Sequence, residues 1–311
     1  MRNVPALAGA LVLTGVLCGC DFAAMGPSDR FQTDFHYTYD LAANGRINAE
    51  SFNGPIEISG WDQNKVEITG AKYGATEELR DDVKVEVHNT AGSVDIRASK
   101  GSAARGGMGA RIVIHAPKTA ILGRISTSNG SIRLRDVASA AHLSTSNGPI
   151  DVSNVASDVD AHSSNGSIEV DRLGGGATLK TSNGHIRADG VAGPLEAETS
   201  NGGITAHTGS GASVKLATSN GAIDLTLDKA PRGDIKAETR NSGIKLRMPP
   251  GSAAHLVADT SNGSISSDFD LAAAGDNDRR HVSADIGGGG PTIQLNTSNS
   301  PIRILKGGAG N

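Results

Sequence analysis

Apolar residues fall along this chain in short pairs that recur with a fixed phase. Three residues after each Asn at 129, 147, 165, 183, 201, 220, 241, 262 and 299 stand Ile132, Ile150, Ile168, Ile186, Ile204, Ile223, Ile244, Ile265 and Ile302. Two residues further on come Leu134, Val152, Val170, Ala188, Ala206, Leu225, Leu246, Ser267 and Ile304, with a polar residue between. Alternation of period two over so short a run predicts a strand with one buried face. A second pair precedes each Asn, as in Ala141 with Leu143, Val159 with Ala161, Ala177 with Leu179 and Leu195 with Ala197. Each pair holds one large and one small residue, so successive layers fill a narrow interior at near-constant volume. A third apolar position follows eight residues after the Asn, at Val137, Val155, Leu173 and Val191.

Between the two strands lies the recurring "TSNG". Its Asn residues, Asn129, Asn147, Asn165, Asn183, Asn201, Asn220, Asn241, Asn262 and Asn299, are 18, 18, 18, 18, 19, 21, 21 and 37 residues apart. A regular period is the signature of stacked units that cannot bury an apolar face alone. The fold class expected is all-β: a single-domain parallel β-helix of about 18 residues per coil, right-handed on the usual crossover bias. The rival reading of "NG", a two-residue hairpin turn in an antiparallel meander, fits less well, because the same face recurs with identical phase. Asn and Gly are expected at the corner for their tolerance of left-handed backbone. Aligned turns would stack the Asn residues in a column, each amide reaching the next layer if it points inward. The gap of 37 predicts a coil without its marker, and residues 44 to 305 give room for roughly 14 coils at about 4.8 Å each.

The N-terminal third is less regular. "NGPIEISGW" fits the template through Asn53, Ile56 and Ile58, and "VKVEVHNTAGSVDI" fits it with Ala91 at the Asn position and Val85, Val87, Val94 and Ile96 inward. Positions 53, 91 and 129 are 38 apart. An unmarked coil is therefore expected in each interval, supplied by "KVEITG" and "RIVIHAP". Residues 97 to 110 read as a mobile loop, and 268 to 281 as a charged flap or end cover. Residues 20 to 39 read as a tether and N-terminal cap whose Phe31, Phe35, Tyr37 and Tyr39 protect the first coil. The repeat domain is taken as 40 to 305, with a short tail at 306 to 311.

The start of the chain is of another kind. "MRNVPALAGALVLTGVLCGC" has a basic Arg2, an apolar run of about 15 residues and a small-residue end, which makes it a secretory signal over residues 1 to 19 rather than a spanning helix. Its "LCGC" resembles the processing motif of bacterial lipoproteins, which implies that Cys20 is lipidated with fatty acyl chains such as palmitate. The mature chain would then hold no second cysteine to form a disulfide. Several acyl chains on one residue suffice for stable anchoring. Asp21 resembles the inner-membrane retention signal of enteric-type lipoproteins. The expected location is the bacterial envelope, lipid-anchored and facing the periplasm, at the inner membrane if the Asp21 rule applies and at the outer membrane otherwise. Net charge moves only from -4 to -5 on loss of residues 1 to 19, a balance that argues against nucleic acid as a partner.

The repeated "TSNG" followed by Ile, with "NGPIEISGWDQNKVEITG" near the start, resembles the DUF4097 family, bacterial envelope proteins often labelled putative adhesins. The resemblance covers roughly residues 31 to 305 and implies a β-helical repeat domain. It brings no chemistry, since turning or packing explains every marker residue. The chain departs from the pattern at Arg240, Asn241, Ser242 and Gly243, where the Gly has moved one place, and at Ser300, which replaces it; altered corners are expected there.

The outward positions of the second strands form a ladder that includes Arg133, Asp151, Glu169 and Arg187. Asp151 and Glu169 are neighbouring carboxylates, the arrangement glycan hydrolysis would use, but an Arg stands on the far side of each and favours charge balance. Nine His residues show no metal-ligand spacing such as HExxH; His142 and His162 on adjacent coils leave only a loose surface site. No nucleophile elbow, phosphate loop or dinucleotide fingerprint occurs, and "GGGG" at 287 to 290 follows no strand-to-helix pattern. No catalytic residue, metal or cofactor is predicted. The expected function is a non-enzymatic envelope lipoprotein, a rod-like scaffold or adhesin-like binding module. Its expected partners are membrane lipid through Cys20 and envelope proteins or polysaccharide. A polysaccharide-binding or polysaccharide-cleaving β-helix is the alternative, although after Trp61 the only aromatic residues available for sugar stacking are Tyr73 and Phe269.

Overall fold

The computed structural model describes residues 30–42, 44–101, 106–273 and 279–307. Cys20 and Asp21 lie outside the described residues. Two long sheets face each other across a single apolar interior. In space the first runs Phe31–Asp40, Lys65–Gly74, Met108–Pro117, Ile56–Trp61, Ile132–Val137, Ile150–Val155, Ile168–Leu173, Ile186–Val191, Ile204–Thr208, Ile223–Leu227, Ile244–Met248, Ile302–Lys306 and Ile265–Ser267. The second runs Val83–Asn89, Ser93–Lys100, Arg46–Ser51, Ile121–Thr127, Ala141–Thr145, Val159–Ser163, Ala177–Lys180, Leu195–Glu198, Val214–Ala217, Ile235–Glu238, Thr292–Thr297, Ala254–Thr260, His281–Ile286 and Ala272–Ala273. The chain alternates between the sheets and so winds a parallel β-solenoid.

The interior is built as the spacing demands. Ile132, Ile150, Ile168 and Ile186 pair in direct register and are at most 1% exposed. In the second sheet Ala141, Val159, Ala177 and Leu195 stack in one column while Leu143, Ala161, Leu179 and Ala197 stack beside them, large always next to small. Val137, Val155, Leu173 and Val191 are also buried, although the alternation from Leu134 would turn them outward. The residue before each explains this. Asp136, Asn154, Arg172 and Gly190 have φ of 58°, 54°, 55° and 67°. A left-handed residue there places two outward residues in succession and resets the alternation. Asp and Asn tolerate that conformation and Gly is at ease in it, whereas Arg172 is strained and held by an Nε bond of 2.6 Å to Asn154 Oδ1.

The ends depart from expectation. Eleven strands of each sheet run parallel among the described residues, so there are eleven coils rather than roughly 14. Those at the two ends are out of chain order. The coil carrying Ile56 and Ile58 lies between residues 93–117 and residues 121–137. "KVEITG" supplies no coil: Lys65–Gly74 is a ten-residue strand antiparallel to both Phe31–Asp40 and Met108–Pro117. "VKVEVHNTAGSVDI" is likewise an antiparallel hairpin, with Val94 and Ile96 buried and Val85 and Val87 half-buried. The Thr90 hydroxyl closes its turn by accepting from the N–H groups of Gly92 and Ser93. No "TSNG" corner occurs between residues 62 and 107, and Gly92, at the marker Gly position, stands in an open hairpin turn where a Cβ would meet nothing within 4 Å, so antiparallel pairs form there.

At the other end no marker has been lost. The coil of Asn299 is inserted between those of Asn241 and Asn262. Pro249 to Ser252 form a tight turn, with the Ser252 N–H donating to the Pro249 carbonyl, and the chain leaves it past the rung it would otherwise take. Gly287, Gly288, Gly289 and Gly290, all at positive φ, then turn it back. Ile265 is only half-buried, because its strand ends the first sheet. In the stretch read as a loop at 97 to 110, residues 97–100 and 108–110 are strand, with Ala98, Met108 and Ala110 buried, and residues 102–105 lie outside the described residues. In the 268 to 281 stretch Phe269 is buried beneath the Lys306 ammonium, and Ala272–Ala273 pairs with His281–Ile286. Phe35, Tyr37 and Tyr39 lean on the core from an edge strand.

Candidate functional site

The "TSNG" corner divides its labour among its residues. Its Thr is buried. Thr145, Thr181, Thr199, Thr218 and Thr239 each donate Oγ1 to the carbonyl of the marker Gly one coil back, all at 2.9 Å, and Ser163 does so at 3.1 Å. Such bonds satisfy a hydroxyl that could not otherwise be buried. The Gly allows that approach: a Cβ on Gly166 would stand 1.8 Å from the Gly148 carbonyl oxygen, and one on Gly184 2.0 Å from that of Gly166. From Gly130 onward neither the marker Gly nor the marker Asn has positive φ. The expected left-handed corner is therefore wrong here. Close stacking, not backbone handedness, selects the Gly.

The nine Asn residues form one exposed column. Asn147 donates Nδ2 to Asn129 Oδ1, Asn165 to Asn147, Asn183 to Asn165 and Asn201 to Asn183, each at 2.7 Å. The series continues through Asn220, Asn241, Asn299 and Asn262 at 2.7 to 2.8 Å. The amides reach one another as anticipated, but along the surface rather than inward. At the altered corners Ser242 and Ser300 turn their hydroxyls onto the carbonyls of Asn220 and Asn241.

Outside the first sheet, Asp151 and Glu169 are in register, with Arg133 on one side and Arg187 on the other. Arg133 lies 3.5 Å from Asp151 and 3.0 Å from Glu57. Glu169 takes His185 at 3.3 Å, while Arg187 turns to Asp189 at 3.7 Å. Asp151, Glu169, Asp171 and Asp189 line an open groove of about 480 Å³. Two coils on, His207 is held between Asp189 at 2.9 Å and Asp228 at 2.7 Å. Only an imidazolium donates from both nitrogens. The bond to Asp228, and after it that to Asp189, raises the His207 pKa against a smaller opposing effect of burial.

The second sheet carries the larger depressions. Grooves of about 780 and 770 Å³ adjoin at His142 and Asp160, one reaching Lys236 and the other Arg46 and the exposed Ile121. His142 and His162 come together on Asp160, at 3.4 and 2.7 Å. The carboxylate that joins them was missed, because His142 and Asp160 are paired only by stacking 18 residues apart. Among the described residues no group of three or more His, Cys, Asp or Glu is arranged to hold a metal ion. Further along, Glu196 accepts from Lys215 at 2.9 Å, and that bond lowers the Glu196 pKa. The outer faces are therefore ladders of partly exposed, mutually paired charges.

No helix among the described residues is long and apolar enough to cross a membrane. No curated protein is similar to this chain in sequence. Solved structures with a similar course include a putative adhesin from Bacteroides fragilis (15% identity, 88% of this chain and 97% of that one, TM-score 0.42). A putative adhesin from Parabacteroides distasonis is 11% identical over 88% of this chain and 97% of that one, with a TM-score of 0.31. A putative cell adhesion protein from Clostridium sporogenes is 10% identical over 88% of this chain and 100% of that one, with a TM-score of 0.24. The pattern of the Toastrack DUF4097 family matches residues 45–305, through all eleven coils including the two inserted out of order, and the chain belongs to that family.

Proposed function

We propose that the protein is a non-enzymatic lipoprotein of the bacterial cell envelope, held to membrane lipid through Cys20, whose solenoid serves as a rod-like scaffold or adhesin-like binding module for envelope proteins or polysaccharide. One observation carries the reading. The residues that repeat join coils: the Thr through its hydroxyl, the Ser through its backbone, the Gly through its carbonyl, the Asn through its amide and the Ile through its buried side chain. What varies from coil to coil is the outward positions, which is how a repeat protein presents a binding face on a constant frame. Their carboxylates are partnered by Arg, Lys or His and lie in open grooves, unlike the convergent, water-poor constellation that catalysis needs.

The groove lined by Asp151, Glu169, Asp171 and Asp189 favours polysaccharide as the ligand class and keeps polysaccharide cleavage as a second reading. Anchoring is tested by Cys20→Ser, which should move the protein from the membrane to the soluble fraction; retention would refute it. The function is tested by screening the protein against envelope polysaccharides with and without Asp151→Asn combined with Glu169→Gln. Binding without turnover is the expected result. Turnover that disappears in the folded double variant would establish the enzyme instead.

A further inference from the structure

The four sheet termini are unequal. One sheet ends in Ile265–Ser267 and Phe31–Asp40, the other in Ala272–Ala273 and Val83–Asn89. At three and two residues, the C-terminal edges offer little backbone to pair with. Phe31–Asp40 is ten residues long and, among the described strands, pairs with Lys65–Gly74 alone, in an unbroken antiparallel register from Phe31 with Gly74 to Asp40 with Lys65. Every second residue of such a strand turns its N–H and C=O away from its neighbour. Natural edges of this length are usually spoiled by proline, lysine, a bulge or a cover. This one contains no proline or lysine and no bulge, and no described residue pairs with its outer side.

We infer that Phe31–Asp40 is a self-association edge, pairing antiparallel with the same strand of a second copy about a two-fold axis at Phe35. The sequence around Phe35 is self-complementary in that register. Arg30 of each copy faces Asp40 of the other, and Asp34 of each faces His36 of the other, so two-fold symmetry makes four opposed pairs of opposite or complementary charge. Arg30 and Asp40 are both exposed, and the Arg30 guanidinium, 5.9 Å from the centroid of the Phe31 ring, would turn from it to Asp40 of the second copy. Phe31 faces Tyr39 across the axis, an aromatic pair of the kind that stabilises neighbouring strands. Sliding the axis to Tyr37 would set Asp34 against Asp40, a repulsive pair, which selects the Phe35 register.

The side-chain geometry of the single chain suits this. Phe35, Tyr37 and Tyr39 project to one face, half-buried against the core, with ring centroids 6.0 and 6.4 Å apart in succession. A second copy would extend that aromatic row and cover the flank it leaves open. His36 is 2.9 Å from Glu67 on the adjoining strand, so in the pair it would stand between two carboxylates. The two solenoids would join through their N-terminal ends, each 13-stranded sheet continuing into the other.

The test uses the full-length chain in detergent, followed by sedimentation equilibrium, with circular dichroism to verify folding. Arg30→Asp opposes two carboxylates across the axis, and Asp40→Arg opposes two guanidinium groups. Each variant alone should weaken the dimer roughly tenfold or more. In an equimolar mixture the heterodimer relieves the repulsion at one end by pairing the introduced carboxylate with the introduced guanidinium, and keeps the native pair at the other. The mixture should therefore recover wild-type affinity within about threefold. Misfolding cannot produce that recovery. A wild-type chain that stays monomeric at about 100 μM, a protein concentration in the range where weak association is populated, would overturn the inference. So would single variants that associate as well as wild type, or a mixture that remains monomeric.

Discussion

Between Asn129 and Met248 the coils stand in the order in which the chain makes them, while at both ends a coil has been slipped in out of turn. The contrast separates two things that a regular repeat runs together. In the middle, buried Thr, close-packed Gly and bonded Asn dictate which atoms of one coil rest on which atoms of the next. At the C-terminal end the Thr and Asn markers persist although Ser242 and Ser300 stand in the Gly place, and Asn262 bonds to Asn299 just as Asn165 bonds to Asn147. The marker therefore fixes register but not neighbour. Connection length does not choose the neighbour either: three residues at 138–140 and seven at 228–234 both lead to the next coil, whereas five at 249–253 and five at 287–291 lead past a rung and back to it. At the N-terminal end the marker is missing over residues 62 to 107, and antiparallel pairing replaces coiling.

Crowding one corner of each kind should separate the two regions most strongly. Gly166→Ala drives a methyl into the Gly148 carbonyl and should cost more than about 4 kcal/mol in chemical denaturation. Gly92→Ala, in the hairpin turn, meets nothing within 4 Å and should stay within about 0.5 kcal/mol. Similar losses at both would show that corner stacking is not what holds the middle together. A smaller contrast comes from the Ile column. Ile168→Ala, fully buried with neighbours on both sides, should lose roughly 2 to 5 kcal/mol. Ile265→Ala, at the open end, should lose under about 1.5 kcal/mol.

The smallest effect is a pH dependence confined to the middle. His207 has a raised pKa through Asp228 and Asp189. Its contribution should be fully present below the unfolded value of about 6.5 and fade as pH rises through the higher folded value. Denaturation of wild type and His207→Gln, compared between pH 5 and 8, should show a gap of no more than about 1 kcal/mol that closes with rising pH. A gap that widens with pH would contradict the ion-pair assignment.

How far the chain could be read beforehand follows the same division. The inward face of every regular coil was legible, because period two and an 18-residue repeat leave Ile168 or Leu179 no other place. The solenoid followed from that. The Asn column was legible as a column but not as a surface feature, and the burial of Thr181 went unseen because threonine at a turn reads as polar. Corner Gly was credited with a left-handed backbone that belongs instead to Asp136, Asn154, Arg172 and Gly190, a second 18-residue series that could have been found by the same counting. The order of the end coils was not legible from periodicity, since equivalent coils are interchangeable partners. The signals for it were Pro249, Pro250 and the run of four glycines. Among surface groups, the meeting of His142 and His162 on Asp160 needed the stacking register before it could be seen.

The inserted coil of Asn299 also sets a condition on assembly in time. Middle coils can add to the stack one by one as the chain leaves the ribosome, each finding its platform already made. Residues 254–267 cannot, because the surface they rest on is formed by residues 292–306, which are synthesised later. Until those arrive, Leu256, Ala258 and their neighbours have no layer beneath them. The last rung is thus a check on synthesis: a chain cut short before residue 292 would display unsatisfied strands and bare apolar side chains, the features by which quality-control proteases and chaperones distinguish unfinished proteins from finished ones.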